Sequence, residues 1–186
     1  FRDAVTHELG HAIVAAPLGW DPIVRVFKNE SPVALANLFQ EKLYLGKCQT
    51  RCFGRRPKFI TAVYGIAGFC AELVFEEDPH GVEDVEFLVG ACLDHLECPQ
   101  CACISESDRL SFETVSRHWR TRAVRAALEI VVNHRRWMAE TVAMAELEWA
   151  KSVDIEIRVR EYPVDGCGRT ELRALCESIG APRVAV

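Results

Sequence analysis

His7-Glu8-Leu9-Gly10-His11 sets two imidazoles four positions apart with a carboxylate beside the first. On an α-helix, residues i and i+4 share a face, so both rings can converge on one ion while Glu8, a step round the helix, reaches a water held next to it. That pattern suits a zinc hydrolase, with two nitrogens for the metal and a carboxylate to take a proton from water. Ala12-Ile13-Val14-Ala15-Ala16 continues as apolar, helix-forming sequence, and Pro17 with Gly19 supplies a stop. The plain alternative is an amphipathic helix with two surface histidines; the helical context favours the metal.

The rest of the chain must then position a third ligand. Asp21-Pro22-Ile23-Val24-Arg25-Val26-Phe27 alternates apolar and polar residues, the period of a half-buried strand. Strand Ile23 to Phe27 either offers an exposed edge that pairs with an extended peptide through its main chain, or lies in the sheet interior with both edges occupied. Leu35 to Leu45 is ambiguous. Gly46 to Lys58, with Arg51, Arg55 and Arg56, reads as a basic, solvated loop. From Phe59 to Glu77 apolar residues recur every three or four positions, which predicts a largely buried helix that Asp78-Pro79-His80-Gly81 ends. A second periodic run covers Asp84 to Leu96, and an aspartate in its first turn suits the helix dipole.

Ser105-Glu106-Ser107-Asp108 resembles a capping start for a helical region that reaches about Lys151 without glycine or proline. One straight rod of that length is out of scale with a small domain, so a break is expected at Asn133-His134. Trp119, Trp137 and Trp149 read as core or seam residues, and the arginines from Arg117 to Arg136 as a solvated face. Val153 to Arg160 alternates strictly and predicts a strand; Thr170 to Ile179 predicts a closing helix.

With 186 residues, 49% hydrophobic and 26% charged, the chain suits one domain with one core and no covalent staples. The pattern of elements is α+β and mainly α. A formal charge of −5 argues against nucleic-acid partners. The best candidate for a membrane span, Ile60 to Phe75, is short and contains Glu72. The first residue is Phe1, which is compatible with a targeting or other segment upstream; a cytoplasmic location is the expectation. Of nine cysteines, Cys70 and Cys92 fall in apolar helical runs and read as core. Cys98, Cys101 and Cys103, with Cys48 and Cys52, have spacings suited to a second, structural zinc. Free thiols in a reducing cytosol are the simpler reading, and a disulfide the third.

In this order the segments resemble the zinc peptidase domain of the FtsH-type membrane proteases, from Phe1 to about Ile157, with 158–186 as a C-terminal extension. The resemblance is carried by His7 to Ala12, by Asp21 to Val26, by Gly65-Ile66-Ala67-Gly68-Phe69-Cys70-Ala71-Glu72-Leu73-Val74-Phe75, which looks like the family's glycine-alanine-glutamate helix, and by Asn133-His134-Arg135. It implies a zincin-like helix, a small β-sheet and a C-terminal helical bundle. Gly81-Val82-Glu83-Asp84 is similar to the turn that delivers the family's third ligand, so the resemblance implies Asp84 in that role, with Glu83 as the fallback and His80 as a lesser candidate. Ala67-Gly68-Phe69 departs from the usual glycine-glycine-arginine, and the cysteine-bearing loops have no counterpart. No Gly-x-x-x-x-Gly-Lys-Ser/Thr sequence occurs, so the chain carries no phosphate-cradling loop of its own. Flexible substrates, or a separate AAA+ unfoldase as partner, are then expected.

The expected activity is that of a zinc metalloendopeptidase acting on flexible or unfolded protein. His7, His11 and Asp84 hold Zn²⁺, and Glu8 is the general base toward a zinc-activated water. Glu72 is either a carboxylate that orients a ligand imidazole or a solvent-facing helix residue. Two other readings stand beside this one: a noncatalytic binding or regulatory module that keeps the zinc-site fold, and a His-Glu-x-x-His peptidase of another clan with Glu72 as third ligand. Substrate, cleavage preference and oligomeric state are not fixed by the sequence.

Overall fold

A computed structural model describes residues 1–29, 44–51, 57–77, 84–97, 104–149 and 154–159. Its elements in chain order are α1 (Arg2–Ala15), a 3-10 turn (Ala16–Leu18), β1 (Ile23–Lys28), β2 (Tyr44–Gln49), α2 (Lys58–Glu77), α3 (Val85–Glu97), α4 (Glu106–Phe112), α5 (Arg117–Trp149) and β3 (Asp154–Arg158). The protein is α+β and mainly helical, with one small antiparallel sheet.

The most apolar periodic stretch becomes the central helix. Ile60, Val63, Ile66, Ala67, Cys70 and Val74 of α2 are all fully or almost fully buried, because α2 is packed on by α1, α4 and α5 on different sides. The segment Lys58–Glu76 is long and apolar enough to cross a membrane, but 72% of it is buried inside this fold, which is how a core helix behaves. Cys70 on α2 touches Cys92 on α3, both as buried free thiols, and burial pushes the Cys70 thiol up; these are the core cysteines expected.

Where α1 ends is legible: Pro17 enters the 3-10 turn and Gly19 closes it in the left-handed region at φ 73°, a conformation glycine adopts without steric cost. The chain then enters the sheet, whose order is β2-β1-β3. In register, Val24 faces Cys48 on one side and Ile157 on the other, and Val26 faces Gly46 and Ile155. Val24, Val26 and Ile155 are buried on the face that meets α1, while on the outer face Arg25 and Glu156 form an exposed ion pair at 2.7 Å.

One open alternative is resolved and two expectations are corrected. Strand β1 is central, with both edges taken, so the exposed edge near the helices belongs to β2 among the described residues. Gly46 to Gln49 is not loop but four of the six residues of β2, because its residues complete β1's hydrogen-bonding edge. Helix α5 runs unbroken through Asn133-His134; the interruption falls earlier, at 113–116. Its buried row, from Ala123 and Val124 through Ala127, Val131, Met138 and Val142 to Ala145, keeps one face on the core along the whole length. His134 Nδ1 lies 2.7 Å from the Ile130 carbonyl one turn back, so that residue too is absorbed into the helix. The expectations for Leu35 to Leu43, Cys52, His80, Glu83, Cys98 to Cys103 and Thr170 to Ile179 lie outside the described residues.

Candidate metal centre

His7 and His11 lie one helical turn apart on the face of α1 that meets α2, and packing on α2 fixes both rings from behind. His7 Nδ1 is 3.2 Å from Glu72 Oε1, and His11 Nδ1 is 2.7 Å from the Tyr64 carbonyl. A carbonyl only accepts, so His11 donates from Nδ1, and Glu72 Oε1 likewise accepts from the Nδ1–H of His7. Both Nε2 atoms are thereby turned to the same point, 3.2 Å apart. Glu72 accordingly serves the far side of the His7 ring rather than facing the point where the two nitrogens meet.

The third group there is Asp108, from α4. Its Oδ2 is 3.3 Å from His7 Nε2 and its Oδ1 3.5 Å from His11 Nε2. His7, His11 and Asp108 are the His/Cys/Asp/Glu group among the described residues whose ligand atoms cluster tightly enough for one ion. Asp84, implied as third ligand by the resemblance, is elsewhere: its exposed Oδ1 accepts from the amides of Glu86 and Phe87 and caps α3. The correction has a physical origin. Either aspartate sits where a helix begins and would look alike in sequence, but α4, not the start of α3, is the helix laid across α2 beside the histidines. Gly65 permits that approach, since a Cβ on it would lie 2.6 Å from Ser111 Cβ and 2.8 Å from the Asp108 carbonyl.

The triangle fits a small cation. Nitrogen and oxygen ligands held at about 2.0–2.1 Å in a tetrahedron lie roughly 3.3–3.4 Å from one another; here the two Nε2 atoms are 3.2 Å apart, Asp108 Oδ2 is 3.3 Å from His7 Nε2 and Asp108 Oδ1 is 3.5 Å from His11 Nε2. Two imidazoles and one carboxylate are a donor set suited to zinc and poorly suited to calcium or magnesium. The wall opposite is backbone: a Cβ on Gly68 would fall 2.5 Å from His7 Nε2 and 2.7 Å from His11 Nε2, so only glycine leaves this space open.

The imidazoles and carboxylates of this cluster act on one another electrostatically. Burial alone would lower the His7 pKa, but hydrogen bonds to Asp108 and Glu72 outweigh it and raise the pKa to about 9. Burial alone would raise the Asp108 carboxyl, yet His11 and His7 hold it well below the usual carboxylate range. The site is therefore built for a positive charge at its centre.

Glu8 stands beside this triangle with 8% of its surface exposed. Burial pushes its carboxyl above the ordinary range, against the opposing influence of His11, His7 and the Cys48 amide, which donates to it. That amide belongs to β2, and β2 comes still closer at Gly46, where a Cβ would lie 2.4 Å from Glu8 Cγ and 2.6 Å from Oε1. The Tyr64 hydroxyl donates to the Cys48 carbonyl at 3.3 Å, tying the strand to the helix that orients His11. Of the residues with sequence-assigned roles, the fold brings together His7, Glu8, His11 and Glu72. Of the cysteines considered for a structural zinc, Cys48 alone is described, half-buried in β2.

Asp108 was visible in the sequence only as part of a capping signal. A short carboxylate three residues after a serine, where glutamate is the usual partner, was the one local hint that this side chain has other business. No family model, curated protein or solved structure matches the chain.

Proposed function

We propose that this chain is a zinc-dependent metalloendopeptidase, similar in its chemistry to the FtsH-type peptidase domains, with His7, His11 and Asp108 as the metal ligands and Glu8 as the general base. The observation that carries the reading is the convergence of His7 Nε2, His11 Nε2 and the Asp108 carboxylate, each within 3.2–3.5 Å of its neighbour, with a buried carboxylate alongside.

Bound by these three atoms, zinc supplies Lewis acidity, bringing the pKa of water to about 7 from roughly 15.7 and polarising a carbonyl. Glu8 accepts the proton of the water that attacks the peptide carbonyl, and then delivers that proton to the departing amine as the C–N bond breaks. Its burial matches this role, because a carboxyl with a raised pKa holds the proton long enough to return it. Glu72 and the Tyr64 carbonyl keep the two imidazoles in the tautomer that presents Nε2.

An extended, unfolded peptide is the substrate that suits β2, whose Gly46 adjoins Glu8 and which has no second strand beside it among the described residues. Main-chain pairing there is tolerant of side-chain sequence. The experiment is casein cleavage by wild type and by Glu8→Gln, with zinc measured in both. Wild type should cleave with one zinc per chain; Glu8→Gln should keep the zinc and lose about 10²- to 10⁴-fold in rate. A zinc-loaded wild type that leaves casein intact would make the chain a binding module instead.

A further inference from the structure

We propose that Ser105 is a positioning residue for the metal centre: its hydroxyl engages one oxygen of Asp108, leaving the other as the ligand, and so keeps the protein's contribution at three atoms. This rests on the metallopeptidase reading above and adds to it a residue from outside the His-Glu-x-x-His motif.

Ser105 is the N-cap of α4, with φ −62° and ψ 154°, and its side chain does two things at once. Its oxygen accepts from the Asp108 amide at 3.2 Å, an ordinary capping bond. Its O–H donates to Asp108 Oδ2 at 2.6 Å, a short charge-assisted bond of the stronger kind. Ser107 Oγ lies 2.9 Å behind it. With Ser105's proton committed to Asp108, Ser107 is the donor of that pair, and the chain Ser107 to Ser105 to Asp108 polarises in one direction.

A capping box in its usual form ends in a glutamate that reaches back to the cap's own amide. Here the residue three along is an aspartate, too short for that return, and it turns toward His7 and His11 instead. Each Asp108 oxygen lies against one imidazole, Oδ2 3.3 Å from His7 Nε2 and Oδ1 3.5 Å from His11 Nε2; the serine proton falls on Oδ2 and withdraws electron density from it, which leaves Oδ1 as the better ligand. An aspartate held this way binds through one oxygen. Loss of the hydroxyl frees the carboxylate to rotate and to offer both oxygens, which costs orientation and fills the position that substrate chemistry needs.

The test separates this role from capping. Ser105→Gly removes the donor while glycine remains an accepted N-cap residue; Ser105→Thr keeps both functions. Zinc affinity is measured by competition with a chromogenic chelator, and the visible spectrum of the cobalt-substituted protein reports coordination number. Ser105→Gly should bind zinc on the order of 10- to 100-fold more weakly, the usual effect of losing a partner of a metal ligand. Its cobalt absorption should weaken as coordination rises above four, and Ser105→Thr should match wild type in both. Equal affinity in Ser105→Gly and wild type, or equal losses in the glycine and threonine variants, would overturn the assignment. If wild type itself binds no zinc, it is the metallopeptidase reading that fails, so the two failures are told apart.

Discussion

Asp108 Oδ2 lies 3.3 Å from His7 Nε2, although 101 positions of sequence separate them. That distance is set by helix packing: α1 and α4 both lie on α2, and the glycine at position 65 lets α4 come close enough for an aspartate to span the remaining gap.

The first prediction concerns the two aspartates. Asp108→Ala should abolish stoichiometric zinc binding, since it removes one of three ligands. Asp84→Ala should leave zinc untouched and cost about 1 kcal/mol of stability, the value of an N-cap, because its carboxylate serves the amides of Glu86 and Phe87. Metal analysis after dialysis, with thermal unfolding of both variants, decides; retained zinc in Asp108→Ala together with lost zinc in Asp84→Ala would reverse the assignment.

This pair also marks how far the sequence could be read. The motif on α1, its stop at Pro17 and Gly19, the buried helix α2 and the strand at β3 were all written in local periodicity and turn chemistry, which depend on near neighbours. The place of Asp108 beside the histidines was not, because a carboxylate at a helix start has the same local signature whether it only caps, as Asp84 does, or also meets side chains on another helix. Only the crossing of α4 over α2 distinguishes them. The same holds for β1, whose alternation gives a half-buried strand but is silent on which neighbours take its two edges.

Gly68→Ala tests the space itself. Alanine raises helix propensity by about 1 kcal/mol over glycine, so α2 should remain intact. The added Cβ would nonetheless sit 2.5 Å from His7 Nε2 and 2.7 Å from His11 Nε2, and backbone on a packed core helix cannot give way. Zinc affinity measured by chelator competition should drop on the order of a hundredfold while the circular dichroism spectrum is unchanged. Unaltered affinity would show that the ion does not sit against this wall.

Glu72 separates orientation from coordination. Its Oε1 accepts from His7 Nδ1 at 3.2 Å, on the side of the ring away from Asp108. Glu72→Ala should therefore weaken zinc by roughly 10- to 100-fold, the usual cost of a lost partner to a ligand imidazole, and Glu72→Gln by less, since the amide oxygen still accepts. Complete loss of metal in Glu72→Ala, equal to that of Asp108→Ala, would instead make Glu72 a ligand.

The last prediction addresses α5. A break at Asn133-His134 would leave the residue at 133 outside regular hydrogen bonding, and proline there would be tolerated. In the structure α5 is continuous from Arg117 to Trp149, and Asn133, though exposed, lies mid-helix. Asn133→Pro should remove an i to i−4 bond and clash with the carbonyl one turn back, at a cost of about 3 kcal/mol or more, whereas Asn133→Ala should be neutral or slightly stabilising. The damage should extend beyond α5: its buried row from Ala123 to Ala145 packs on α2 and α1, so a kink at 133 separates half of that row from the helices that carry His7, His11 and Glu72. Denaturant unfolding of the two variants gives the stability difference directly; a proline variant as stable as the alanine one would restore the break that the sequence suggested.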